Sequence, residues 1–201
     1  MARRYARTPV SNEEAYQKKL EMTGRYLSPA TELLEFGCGT GTTAVHHAPG
    51  VKHILAIDIS ANMLEIARER AAQAGVDNIT FQEAAIDSFD APDASFDVIM
   101  GMSILHLLAD REQALNKVYR MLKPGGYFIS STVCMANVAR GWKLLIRLFS
   151  LLRILPRLTF FQREQLLDCI ASAGFDIVED WQPSANEAVF VVARKPEMGS
   201  E

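Results

Sequence analysis

The chain has 201 residues, 49% hydrophobic and 22% charged, with a formal net charge of −3. That size and balance suit one globular domain with a sizeable core, and the slight acidity speaks against a general nucleic-acid binder, so no nucleic-acid partner is expected. The three cysteines, Cys38, Cys134 and Cys169, are scattered, and the four histidines lack zinc spacing; neither a disulfide framework nor a metal is expected, and a reducing cytoplasm is the default location.

Residues 1–10 read as an arm, charged but without the apolar core of a secretory signal. A helix is predicted from Asn12 to Leu27, with Ser11 as its N-cap and Ser28-Pro29 ending it. The first strand spans Glu32–Phe36, and a helix follows over Thr42–Ala48. The second strand, His53–Ile59, is apolar until its carboxyl end. Ser60 then caps an amphipathic helix, Ala61–Ala74, that Gly75 terminates. Further strands are predicted at Asn78–Glu83, Phe96–Met102 and, after the turn Lys123–Gly126, Tyr127–Val133; Asp110 caps a helix reaching Leu122. Strict alternation of strand and helix up to this point implies a parallel sheet covered on both faces. An apolar helical insertion over 136–161 interrupts the rhythm. A helix at Gln162–Ala173 and strands at Phe175–Trp181 and Ala188–Arg194 complete the chain, the last two as an antiparallel hairpin at the sheet edge.

Two places carry chemistry. After the first strand comes Gly37-Cys38-Gly39-Thr40-Gly41, a tight glycine turn of the kind that brings backbone N–H groups against a ligand. Thr42 stands where a dinucleotide fingerprint requires a third glycine or alanine, and the triphosphate P-loop pattern is absent. Asp58 ends the second strand, 17 residues after Gly41. A carboxylate there can accept from both hydroxyls of a ribose, with Ile59 against the base; the plainer reading makes Asp58 a neighbour of the Ser60 helix cap.

The series EFGCGTG, AIDIS, FDVIMGMSILHLL and RMLKPGG, in that order, resembles class I S-adenosylmethionine-dependent methyltransferases, from about Leu20 to Arg194. The resemblance implies an α/β, Rossmann-like sheet of seven strands in the order 3-2-1-4-5-7-6, strand seven antiparallel, with S-adenosylmethionine as cofactor. It also implies roles by position. Glu35, Gly37, Cys38, Gly39 and Gly41 would form the methionine-side loop, Asp58 would hold the ribose and Ile59 would pack on adenine. Many members carry an acidic residue in the loop after the third strand. Here Ala85 takes that position, with the Ile86 N–H at the ring nitrogen and Asp87 close by; a register shifted by two offers Glu83 instead. A carbonyl of Gly101 or Met102, next to Ser103, would accept from the methionine ammonium group. His106 would lie near the reaction centre, as general base or as a residue that shapes the pocket. Tyr16 and Trp142 would face the acceptor.

The remaining signal is Gly141–Phe161, GWKLLIRLFSLLRILPRLTFF, in which Lys143, Arg147, Ser150, Arg153 and Arg157 draw one narrow polar stripe. As a helix, Trp142–Leu155 would reach about 21 Å, too short for a bilayer. It reads as a lid over a hydrophobic acceptor, as a dimer face or core, or as a contact with an anionic membrane surface. The function expected is methyl transfer to a small or amphiphilic molecule by a monomer or homodimer. Alternatives are a methyltransferase acting on protein or RNA, although Met102-Ser103-Ile104-Leu105 replaces the N/D-P-P-aromatic motif, a binding protein without turnover, and an NAD-dependent oxidoreductase.

Overall fold

A computed structural model describes residues 12–133, 162–184 and 187–197. The arm 1–10, Cys134, the insertion 136–161 with Trp142, and its basic stripe lie outside the described residues. In chain order the elements are α1 (Glu13–Gly24), β1 (Glu32–Phe36), α2 (Thr42–His47), β2 (His53–Asp58), α3 (Ala61–Ala74), β3 (Ile79–Glu83), β4 (Phe96–Met102), α4 (Arg111–Met121), β5 (Leu122–Val133), α5 (Arg163–Ser172), β6 (Asp176–Trp181) and β7 (Ala188–Arg194). Short 3-10 turns occupy Ala48–Gly50 and Leu105–Leu107. No helix among the described residues is long and apolar enough to cross a membrane.

The sheet has seven strands in the order β3-β2-β1-β4-β5-β7-β6. The first five run parallel, and β7 lies antiparallel between β5 and β6. This is the topology that the resemblance implied. Alternation along each central strand divides the core between the two faces. Leu34, Phe36, Ile57, Ile99, Phe128 and Val191 belong to one apolar cluster. Their neighbours Leu33, Ala56, Val98, Ile129 and Val192 belong to the other.

Several boundaries differ from the sequence-based expectation, each for a local reason. The N-cap of α1 is Asn12, whose side chain accepts from the Ala15 amide at 2.9 Å, and not Ser11. The same helix stops at Gly24, because the amides of Tyr26 and Leu27 turn to carbonyls three residues back. β5 begins at Leu122 and takes in the predicted turn Lys123–Gly126. Phe96 pairs with Leu122 while Val98, two residues on, pairs with Tyr127, so the extra residues bulge out of the ladder. Gly126 permits this, since a Cβ there would stand 2.8 Å from the Asp97 carbonyl.

Candidate functional site

Parallel strands β3, β2, β1, β4 and β5 place their carboxyl ends on one edge of the sheet, the edge where open α/β sheets bind ligands. β1 emerges there into Gly37–Gly41. Gly39 and Gly41 have φ of +55° and +69°, values that residues with a Cβ rarely adopt. Gly41 is also hemmed in, because a Cβ would lie 2.9 Å from that of Ala67 on α3; Gly39 faces open space. At Gly37 an added Cβ would collide with Ile104, so the loop packs directly on the segment that follows β4.

Asp58, at the end of β2, joins this loop to the next helix. Its Oδ2 accepts from the Gly39 N–H at 2.8 Å and its Oδ1 from the Ser60 N–H at 2.9 Å. The contact with Ser60 matches the plainer reading of Asp58 as a neighbour of the helix cap, and the contact with Gly39 ties the same carboxylate to the glycine loop. A carboxylate offers about four acceptor positions, so both oxygens keep a lone pair for a further donor. Beside it, Ile59 is 74% exposed.

Glu35 is fully buried on β1. One carboxyl oxygen takes the Ala44 amide of α2, while Oε2 has no partner. Burial, opposed by that hydrogen bond and reinforced by the nearby Asp58, raises its pKa to about 8. The Tyr16 hydroxyl on α1 is likewise buried, beside Thr43 and Glu35; burial raises its pKa, opposed by the Thr43 side chain. Burial also pushes the Cys38 thiol far up, with the carboxyls of Glu35 and Asp58 adding to it, which disfavours the nucleophilic thiolate.

After β3 the chain turns through Ala85, Ile86 and Asp87. The Ala85 carbonyl accepts from the amides of Ser88 and Phe89, the Ile86 side chain is buried in the core, and Asp87 is exposed, its carbonyl taking Lys117 at 2.9 Å. Glu83 lies opposite Asp58 in the sheet register and is exposed.

At the end of β4, Met102 pairs with Ser131 of β5, and the Ser103 N–H donates to the Ser131 carbonyl at 2.7 Å. Ser103 has a φ of +57°, uncommon for a residue with a side chain. Gly101 owes its identity to the core, because a Cβ there would stand 2.5 Å from the Phe36 ring. His106 sits on the 3-10 turn beyond, half-buried, with Nδ1 shielded and unpartnered, and burial lowers its pKa. That shift favours the neutral imidazole. His47, by contrast, packs in the interior with its pKa lowered to about 4, chiefly by burial, while His46 is exposed.

Two cationic residues at this edge went unnoticed in the sequence. Lys19 lies three positions after Tyr16, on the same face of α1, and its Nζ donates to the Ser131 hydroxyl at 3.0 Å; burial lowers its pKa. Arg70 reaches from α3 to Thr40 and Thr42 of the glycine loop. Each meets a partner remote in sequence, so no local pattern announced either contact. Among the described residues no group of three or more histidine, cysteine or acidic side chains could hold a metal.

Residues 27–180 match the family model described as a methyltransferase domain. The uncharacterized methyltransferase YcgJ of Bacillus subtilis is 35% identical over 97 residues, 48% of this chain and 38% of that protein. Its crystal structure aligns with a TM-score of 0.72 at 18% identity over 90% of this chain and all of that one. The 27-O-demethylrifamycin SV methyltransferase of Amycolatopsis mediterranei is 36% identical over 102 residues, 50% of this chain and 38% of that protein. A demethylmenaquinone methyltransferase of Listeria monocytogenes is 31% identical over 116 residues, 56% of this chain and 48% of that protein. The matched stretches thus span less than half the length of these curated relatives. With the family match running from the end of the first helical segment into β6, over the whole glycine loop and Asp58, the chain belongs to the methyltransferase-domain family.

Proposed function

We propose that the protein transfers a methyl group from S-adenosylmethionine to a small or amphiphilic acceptor. The observation that carries this reading is the 2.8 Å contact between the Gly39 N–H and the Asp58 carboxylate. It sets a left-handed glycine loop against an acidic residue at adjoining strand ends, the pairing that suits the amino-acid and ribose parts of one ligand. Other features of the site fit the donor. The buried, unpartnered Oε2 of Glu35 leaves polar capacity beside the loop, and such an orphan calls for a partner. Ile59 offers an exposed apolar face beside Asp58. When bound, the donor supplies an electrophilic methyl group on a sulfonium centre.

The chain's own residues would then bind and align. Asp58 accepts from the ribose hydroxyls through charge-assisted hydrogen bonds. The turn Ala85–Asp87 borders the adenine edge. A backbone carbonyl of Gly101 or Met102 would accept from the ammonium group, with Ser103 held on Ser131. Transfer from a sulfonium depends on alignment more than on acid–base help. For an O- or N-nucleophile, neutral His106 would take the proton at Nε2, because its Nδ1 is shielded. Tyr16 and Lys19 of the N-terminal helix, with Trp142 of the cap at 136–161, would face the acceptor within one domain spanning the chain, in the cytoplasm. Relatives named for rifamycin and menaquinone precursors support a small acceptor, and the apolar sequence of 136–161 supports a hydrophobic one.

The test is calorimetry with S-adenosylhomocysteine, followed by incubation with methyl-labelled donor and a panel of small phenols, quinols and amines. Saturable binding and label recovered in a small-molecule fraction are expected. Absence of binding would overturn the donor assignment, and label recovered only in protein or RNA would overturn the acceptor class.

A further inference from the structure

The glycine loop is held from two sides, and only one hold lies in the motif itself. From β2, Asp58 takes the Gly39 N–H. From α3, Arg70 takes the loop's other half, its Nη1 lying 2.6 Å from the Thr40 carbonyl, 2.7 Å from the Thr40 hydroxyl and 2.5 Å from the Thr42 hydroxyl, three acceptors that share its two N–H bonds. The reach depends on a close approach one turn earlier on the same helix face. Ala67, three residues before Arg70, lies where any Cβ on Gly41 would come within 2.9 Å of its own. A small residue on the helix and none on the loop bring the two backbones together, so the guanidinium needs no extended reach.

We infer that Arg70 is a positioning residue for the donor: a latch from α3 that holds Thr40 and Thr42 on either side of left-handed Gly41 and thereby sets donor affinity. The inference rests on the methyl-donor reading above. Three acceptors lie on a stretch of three residues bracketing Gly41, and two of them belong to Thr40. A glycine-rich segment loses much conformational freedom when it orders around a ligand. A guanidinium nitrogen already bonded to the loop removes part of that freedom beforehand, which lowers the ordering cost at binding. Arg70 acts through the loop and takes no part in the chemical step.

The test compares wild type, R70M, R70K, T42V and the double variant R70M/T42V. Two measurements are made: calorimetry with S-adenosylhomocysteine, and hydrogen exchange of the Gly39–Thr43 amides in the free protein. R70M should weaken binding about tenfold or more and speed loop exchange, while exchange in the sheet core stays as in wild type. R70K should recover part of both, since an ammonium still donates to Thr40. T42V should lose less than R70M, and the double variant should bind no more weakly than R70M alone, because both changes remove one contact. Wild-type affinity or wild-type loop exchange in R70M would overturn the latch, as would fully additive losses. Should R70M unfold, T42V decides, since Thr42 is exposed and its substitution spares the fold; wild-type exchange and affinity there would overturn it. Failure of wild type to bind S-adenosylhomocysteine would overturn the donor reading, and with it the claim on affinity, whereas unchanged loop exchange in R70M sinks the latch alone.

Discussion

Asp58 bridges loop and helix with one carboxylate, so its replacement removes ligand contacts and protein contacts together. Asp58→Ala should lower affinity for S-adenosylhomocysteine by about 2–4 kcal/mol, the scale of two charge-assisted hydrogen bonds; calorimetry on the folded variant checks it. Glu35 and His47 make opposite demands on pH. The folded pKa of Glu35 is raised to about 8, so the native state holds a proton that the unfolded chain has released, and stability falls as pH rises from the ordinary carboxyl range toward 8. His47 has its pKa lowered to about 4, so its contribution is full above the ordinary imidazole range and is lost as pH falls toward 4. Urea denaturation of Glu35→Gln should show the decline toward pH 8 removed, with a gain over wild type at that pH on the order of 1–3 kcal/mol. An unchanged slope would mean that Glu35 is ionised in the folded protein.

At the level of turns and strands, the glycines of the site separate by cause. Gly39→Ala meets open space and only an unfavourable φ, so it should fold with a loss of about 1–2 kcal/mol and a weaker grip on donor product. Gly101→Ala drives a methyl group into the Phe36 ring at the junction of β1 and β4. Overpacking of that kind costs about 1–3 kcal/mol, and it should also displace the loop that begins one residue after Phe36. Denaturation midpoints read beside donor-product affinity distinguish the two: Gly39→Ala loses mainly binding, Gly101→Ala mainly stability. The bulge at Lys123–Gly126 belongs to the same level. Asp97 accepts from the Glu32 N–H at 2.9 Å and from Lys123 at 2.8 Å, so one carboxylate ties the start of β1 to the bulged end of β5.

Across the molecule, α1 closes the edge where the strands end, and its anchor is remote in sequence. Asn12 caps the helix and donates to Glu187 at 2.6 Å, next to β7, while Lys19 reaches Ser131 on β5. Asn12→Ala should therefore cost about 1–2 kcal/mol, at the upper end for a cap, and should speed exchange of the α1 amides more than those of the sheet. A loss confined to a few tenths of a kcal/mol would show that the bond to Glu187 adds nothing to the cap.

Much of this architecture is local in origin and therefore legible in the chain itself. The alternating strands and helices, the Ser60 and Asp110 caps, the hairpin at β6–β7 and the order of motifs that marks the family all follow from neighbours within a few residues. The glycine turn and Asp58 were legible for the same reason, since backbone conformation and strand ends leave signatures at short range. What the tertiary structure alone decided involves partners far apart in sequence. That Gly101 serves the packing of Phe36, that Glu35 is buried, that Lys19 meets Ser131 and that Arg70 meets Thr40 could not be read from spacing. Burial and close approach arise only when the sheet brings separate segments together, and a side chain's chemistry is set by that environment rather than by its neighbours along the chain.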